Sequence, residues 1–349
     1  MSTSYSPIFE PLDTRGLALK NRVVYPPMAT NYDIRTPRAQ AYYAERARGG
    51  AGFVIVESTR VDNFADEAYV DAIRPLAAAV HAAGAKVALQ LAAVPVGMDG
   101  AAIAPSATPS ARAGTVEEIR WIHAKFARAA AGAKRAGFDA VELHGAHGYF
   151  FSQFYSPSAN RREDAYGGSR EARMSFALEA VRAVREAVGA AYTLMYRMNA
   201  VELDPGGVTL EDGAALASAL EIAGVDIIDV SASGGPSRSG PNGAPETDPV
   251  AKFPEYAAAV RLHVRIPVIA VGRIHEPATA AGILAAGQAD LVAIGRQMLA
   301  DPFWAQKVAE DRENEIVHCD SCNACHVDLA RGVPIRCKVN RHAGQEYLG

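Results

Sequence analysis

The chain has 349 residues, with 35 Lys and Arg against 39 Asp and Glu and a formal net charge of −4. No block of basic residues stands out, so neither nucleic-acid binding nor a polybasic membrane contact has electrostatic support. Hydrophobic residues make up 49% and charged residues 21%, ordinary proportions for a globular protein with room for one large barrel or two domains. The N-terminal MSTSYSPIFEPLDTRG lacks a basic segment followed by an apolar core, and no apolar run approaches the ~20 residues of a membrane span. Neither a secretory signal nor a spanning helix is expected, and the predicted location is cytoplasmic.

Eight short apolar runs recur along the chain. They are RVVYPPM at 22–28, GFVIVE at 52–57, KVALQL at 86–91, FDAVELH at 138–144, YTLMYRM at 192–198, VDIIDVS at 225–231, PVIAVG at 267–272 and ADLVAIG at 289–295. Each is apolar nearly throughout, the pattern of parallel strands covered on both faces. Helical periods lie between them. Segment 115–136 places Ile119, Ile122, Phe126 and Ala130 on one stripe opposite Lys and Arg, and Gly137 follows as a stop. Segments 170–188 and 210–223 read the same way, the latter closed by Gly224. AGFD, AGVD and GQAD precede three of the strands, which marks a repeated turn rather than a solenoid repeat.

Eight strand–helix units predict an α/β fold, a (β/α)₈ TIM barrel over residues 1–310. A doubly wound sheet is the competing fold, but no G-x-G-x-x-G follows the first strand. Two Gly/Pro/Ser-rich loops, 94–114 after strand three and 233–250 after strand six, are expected at an active-site rim. Residues 311–349 form a short appendage carrying every cysteine: Cys319, Cys322, Cys325 and Cys337. Clustering within the last 31 residues points to a metal or cluster rather than a disulfide framework.

In such a barrel the reactive groups sit at the C-terminal ends of the strands. Strand three ends at Gln90, strand four at His144 followed by His147 and Tyr149, and strand five at Arg197. Strands seven and eight end in Gly272-Arg273 and Gly295-Arg296. Loops at those two places often bind phosphate, where glycine admits backbone N–H groups and arginine supplies forked charge. Turn glycines with solvated arginines are the alternative. A buried Arg197 needs a partner, either a carboxylate such as Glu142 or negative charge on a bound cofactor. His144 and His147 read as ordinary loop histidines, metal ligands or donors to a substrate oxygen, and no H-E-x-x-H supports zinc. Tyr149 is either a packing residue or a proton donor.

From His144 to Ser169 the chain reads HGAHGYFFSQFYSPSANRREDAYGGS. This stretch resembles the signature of the old yellow enzyme family. LKNRVVYPPMATN at 19–31, APSA at 104–107, IPVIAVGRI at 266–274 and DLVAIGRQMLADP at 290–302 extend the resemblance over nearly the whole chain. It implies a barrel holding FMN, with Pro27, Met28, Ala29 and Thr30 beside the flavin ring. Gln90 and Arg197 would meet its pyrimidine edge, and Gly272, Arg273, Gly295 and Arg296 its phosphate. His144 and His147 would bind a substrate carbonyl oxygen, and Tyr149 would donate a proton. The implied activity is NADH- or NADPH-driven reduction of the C=C bond of α,β-unsaturated carbonyl compounds, with ping-pong kinetics.

The cysteine tail and the PPMATN turn resemble one branch, that of 2,4-dienoyl-CoA reductase and trimethylamine dehydrogenase. Members there carry a [4Fe-4S] cluster on C-x₂-C-x₃-C-x₁₁-C; here the middle spacing is x₂. A structural zinc site, joined by His318 or His326, competes with the cluster, and an empty reduced loop is a third option. Other departures bear on substrate and potential. The family's QLxHxGR is here Gln90-Leu91-Ala92-Ala93-Val94-Pro95-Val96, without the histidine and arginine, so the rim must differ. Ala29 offers no side-chain hydrogen bond where some members carry Thr or Cys. Cluster-bearing relatives continue into an FAD and NAD(P)H domain, so a separate electron-donor protein, direct reduction by a nicotinamide or a lost electron-transfer role is expected here. The leading expectation is an ene-reductase. A flavin/iron–sulfur dehydrogenase component and a phosphate-binding barrel without this chemistry compete with it. A homo-oligomer is compatible with the sequence.

Overall fold

Runs of Val, Ile and Ala with no polar side need cover on both faces, and here they close on one another. The computed structural model of the chain describes residues 5–233 and 253–348. Its eight barrel strands are β1 Val23–Tyr25, β2 Phe53–Arg60, β3 Lys86–Ala92, β4 Ala140–Gly145, β5 Thr193–Glu202, β6 Ile227–Ser233, β7 Val268–Val271 and β8 Leu291–Ala293. Every neighbouring pair is parallel, and β8 returns to β1 through Val292 opposite Val23. This is the expected (β/α)₈ barrel. β1 is shorter than the predicted 22–28, because Pro26 and Pro27 have no N–H to give a ladder and the chain leaves the barrel there.

The predicted helices form where the local chemistry starts and stops them. Val116–Arg135 opens with a reciprocal capping box of Thr115 and Glu118, and Leu210–Ala223 with one of Thr209 and Asp212. Gly224 ends the latter in the left-handed conformation, at φ 111°. Ser169 caps Arg170–Val188. Ile119, Ile122, Phe126 and Ala130 are all buried against the barrel.

The repeated AGFD, AGVD and GQAD turns have a structural use. The carboxylates of Asp139, Asp226 and Asp290 accept from the N–H groups of Val87, Leu194 and Val268, each at 2.9 Å. Each aspartate also donates its own N–H to the carbonyl of that same residue, at 2.8–2.9 Å. A side chain and a backbone group thus clamp the start of each of these strands to its predecessor. A one-residue slip would break both bonds, so the clamp holds the register.

The strand interiors form one apolar cluster, with Val24, Phe53, Ile55, Ala88, Ala140, Met195, Ile227, Ile269 and Leu291 filling the barrel. A short hairpin of Leu12–Thr14 and Leu17–Leu19 adds Leu17 and Leu19 to that cluster. The outward strand faces pack with the helices into a second, larger core.

At the opposite end the loops are tied down. Within the expected rim loop 94–114, Ile103–Ala104 pairs with Arg112–Ala113, and Arg112 bridges Asp99 and Glu118 at 2.8 and 2.5 Å. Of the second expected rim loop, residues 234–250 lie outside the described residues. The tail lies against the turn after β1. Asn31 Nδ2 donates to the carbonyls of Leu329 and Val333, and the Ile335 N–H to that of Thr30. Glu346 forms a buried ion pair with Arg46 at 2.5 Å. No helix among the described residues is long and apolar enough to cross a membrane.

Candidate functional site

Along a strand every second side chain faces the barrel interior. Toward the C-terminal ends these positions turn from apolar to polar: Ala88 to Gln90, Ala140 to Glu142 and His144, Met195 to Arg197 and Asn199, Ile227 to Asp229 and Ser231. Register then sets them side by side. Gln90 stands opposite Glu142, His144 opposite Arg197, and Arg197 opposite Asp229. A buried polar layer therefore caps the apolar filling.

Above this layer a cleft of about 920 Å³ opens to solvent. Twelve of the thirteen residues singled out from sequence for cofactor or catalysis line it; the exception, Thr30, is fully buried behind the turn after β1. Pro27, Met28 and Ala29 come from the turn after β1, and Gln90 and Arg197 from β3 and β5. Gly272 and Arg273 follow β7, Gly295 and Arg296 follow β8, and His144, His147 and Tyr149 stand at the end of β4. Sequence reasoning missed Ser58 and His275 on the walls. It also missed Asp229, Asn199 and Ser231 beneath them; the two-residue alternation along β5 and β6 was the available signal.

The turn after β1 is pinned from behind. Buried Glu57 accepts from the Thr30 N–H at 2.9 Å, from the Thr30 hydroxyl, and from Tyr43 Oη at 3.3 Å. His147 sits at φ 61° and is held at both ends. Its N–H donates to Asn199 Oδ1 at 3.2 Å, and its Nε2 lies 2.8 Å from Ser231 Oγ. The His144 ring lies 5.2 Å from that of His147 and 4.1 Å from that of Tyr149, centroid to centroid. Tyr149 is 40% exposed, so its phenol faces the open side of the group.

Charge in the layer is unevenly matched. Arg197 Nε lies 3.1 Å from Asp229 Oδ2, whereas Glu142 accepts from Gln90 Nε2 at 2.8 Å. The carboxylate beside Arg197 is thus Asp229, not the Glu142 suggested by the sequence. Burial raises the pKa values of Glu142 and Asp229, and Arg197 opposes the rise in both. Burial, with help from Arg197, holds His144 and His147 well below the usual histidine range, so both imidazoles are neutral at neutral pH. At the far end burial and then the charges of Arg296 and Arg273 hold His275 down to about 4. Arg296 donates to the amide oxygen of Asn323 at 2.6 Å and has no carboxylate partner among the described residues.

The cleft fits FMN in kind. An apolar strip from Pro26 to Ala29 matches a flat ring, Gln90 and Arg197 offer donors to a polar edge, and Arg296 offers unneutralised charge to a phosphate. His144 Nδ1, Arg197 Nε and Asn199 Nδ2 are buried without a hydrogen-bond partner among the described residues, a state that calls for a ligand or water. Both phosphate-side turns leave little room for a side chain, and Gly272 also needs glycine's backbone freedom. A Cβ on Gly295 would stand 2.9 Å from Met28 Sδ, and one on Gly272, at φ 114°, would fall on the Phe253 ring.

The tail cysteines are partly buried and free of disulfides. Cys319, Cys325 and Cys337 lie within electrostatic reach of one another, and Arg296 lies within reach of the first two. Four thiols suit iron–sulfur or zinc in softness. No group of three or more His, Cys, Asp or Glu converges closely enough to hold a metal among the described residues, so these side chains would have to move to grip one.

Comparison with known proteins places this geometry. Residues 7–315 match the NADH:flavin oxidoreductase / NADH oxidase family. The NADH oxidase of Thermoanaerobacter brockii is 41% identical, over 95% of this chain and 55% of that protein. The structure of 6-hydroxypseudooxynicotine amine oxidase from Pseudomonas geniculata N1 superposes with a TM-score of 0.91 at 27% identity, over 99% of this chain and 55% of that one. Morphinone reductase superposes with a TM-score of 0.75 at 27% identity, over 92% and 94%. The chain thus spans about half the length of the first two and nearly all of the third.

Proposed function

The chain belongs to the NADH:flavin oxidoreductase / NADH oxidase family, of the old yellow enzyme type, and from that premise we propose that it is an FMN-dependent ene-reductase. It would use NADH or NADPH to reduce the C=C bond of α,β-unsaturated carbonyl compounds. The observation that carries the reading is the single cleft shared by two neutral imidazoles, a phenol and an unneutralised arginine. FMN, when bound, supplies the two-electron chemistry, accepting hydride from the nicotinamide and giving hydride to the alkene.

The chain's own residues do the rest. Pro27, Met28 and Ala29 bound the ring, Gln90 and Arg197 orient its polar edge, and Gly272, Arg273, Gly295 and Arg296 hold the phosphate. His144 and His147, kept neutral by burial, donate hydrogen bonds to the carbonyl oxygen as negative charge grows there. Ser231 and Asn199 fix the His147 ring and backbone for that task. Tyr149 gives its proton to the α-carbon, so the alkene gains one hydride and one proton. Morphinone reductase, alike over nearly its full length, supports the reductase direction. A cytoplasmic location belongs to the same proposal, in keeping with four thiols outside any disulfide.

Tyr149→Phe tests the reading. Stopped-flow measurement should show oxidation by 2-cyclohexenone slowed by roughly 10²-fold or more, with reduction by NADH nearly intact. Equal rates in both half-reactions would remove Tyr149 from the proton-donor role.

A second reading concerns the tail. A [4Fe-4S] cluster on Cys319, Cys322, Cys325 and Cys337 would make the chain a dehydrogenase component exchanging electrons with a separate protein, whereas zinc there would be structural only. The reach of Arg296 to both the cleft and two of the thiols favours it, as does the amine oxidase likeness. Absorbance spectra with iron and zinc analysis on anaerobically purified protein decide it: iron with cluster absorbance supports the component, and zinc alone removes it.

A further inference from the structure

The cleft has a side branch. Next to His147 and Tyr149 a solvent-open cavity runs between the end of β2 and the segment after β3. Ser58, His147 and Tyr149 line both spaces, so the two adjoin at the reacting end. Ala92, Ala93, Val94, Pro95 and Phe150 make the walls of the branch largely apolar. It exists because the chain turns away from β3 on small side chains; a bulky residue at Ala93 would take up part of the space. No carboxylate among the described residues lines it.

Arg60, the last residue of β2, also lines the branch and lies in register with Ala92. It is exposed, and its side chain makes no hydrogen bond or ion pair with the described residues. Arg35, which lines a neighbouring space together with Arg60, shows what a satisfied arginine looks like here. Arg35 grips Asp33 with two nitrogens, at 2.9 and 2.6 Å. Arg60 therefore presents a guanidinium without a partner among the described residues to a largely apolar cavity that His147 and Tyr149 also line. An entering carboxylate would gain a forked, charge-assisted pair without displacing an existing one.

Resting on the ene-reductase reading, we propose that this branch receives the substrate's substituent and that Arg60 pairs with a carboxylate at its end. The preferred substrates are unsaturated carbonyl compounds whose apolar chain ends in a carboxylate.

The test uses the full FMN-loaded chain. The probes are α,β-unsaturated methyl ketones bearing a terminal carboxylate on alkyl chains of increasing length, each beside its methyl ester. Binding of the matching saturated ketones to the oxidised enzyme is measured by calorimetry, and kcat/KM of the alkenes in parallel. At one chain length the acid should bind roughly tenfold tighter than its ester, an advantage that shrinks with added salt. Arg60→Gln should bring the acid down to the level of its ester, and Arg60→Lys should restore part of the difference. Acid and ester binding alike at every length, or a preference that survives Arg60→Gln, overturns the proposal. So does an Arg60→Gln effect confined to NADPH, which would assign the guanidinium to the hydride donor's phosphate. Acid-selective binding with no turnover of any alkene would uphold the charge pairing while removing the ene-reductase reading.

Discussion

Replacing Arg197 by methionine should destabilise the barrel, and more so at high pH than at low. Methionine retains much of the apolar stem but leaves buried Asp229 without its ion-pair partner and buried Glu142 without the positive charge that restrains its pKa. The side chains of Arg197 and Asp229 are 7% and 0% exposed, so solvent screens the pair little. Removing one partner from such a pair costs about 3–5 kcal/mol. Arg197 Nε and the Asp229 oxygens are not aligned as hydrogen bonds, which places the cost near the lower figure, about 3 kcal/mol. For a chain of this length the entropy of unfolding is about 0.7 kcal/mol per kelvin, so Tm should fall by about 4 °C. The pH dependence follows from the direction of the shifts. Burial already raises both carboxyl groups above their usual range, and Arg197 restrains the rise. Without Arg197 both rise further, and a group whose folded pKa is raised loses its stabilisation as pH climbs through that value. The deficit should therefore be smaller at about pH 5 than at about pH 8. Thermal unfolding by circular dichroism, with and without excess FMN, measures it, and Arg197→Lys should recover part of the loss. An unchanged Tm, or a deficit that shrinks with rising pH, would refute the reasoning.

Gly295→Ala should weaken FMN binding by roughly tenfold, because the new Cβ stands 2.9 Å from Met28 Sδ and 3.2 Å from Pro26 Cγ and presses the turn after β1 into the cleft. Quenching of FMN fluorescence on titration reports it, and an unaltered Kd would mean that the turn yields without cost. His123 is buried against Phe176 at 4.8 Å, and burial lowers its pKa from 6.5 to about 4. Below the higher value the unfolded chain takes a proton that the folded one refuses. Stability should therefore fall by up to about 3 kcal/mol between those two pH values. Urea denaturation against pH, with His123→Gln as the less pH-sensitive comparison, checks the sign.

Much of the fold was legible because its cues are local. Apolar runs such as GFVIVE and VDIIDVS, the Thr115 and Thr209 caps and the Gly224 stop each act within a few residues, and each element formed where its cue stood. The candidate site was legible for a related reason. A barrel delivers every strand's C-terminal end to one face, so Gln90, His144, Arg197, Gly272 and Gly295 could be placed together once eight strands were counted. Pairing was not legible, because it depends on register between strands distant in sequence. Arg197 meets Asp229 and not Glu142 since β5 aligns Arg197 with Asp229, and aligns Met195 with Glu142.

The residue types and their periods alone determined a parallel barrel with a polar mouth. Tertiary structure alone decided which buried charges face each other, that Ser231 holds His147, and that small residues after β3 border a cavity also lined by Arg60, whose side chain has no partner among the described residues. Burial and hydrogen bonding belong to positions in space, and sequence distance carries no measure of them until the barrel has closed.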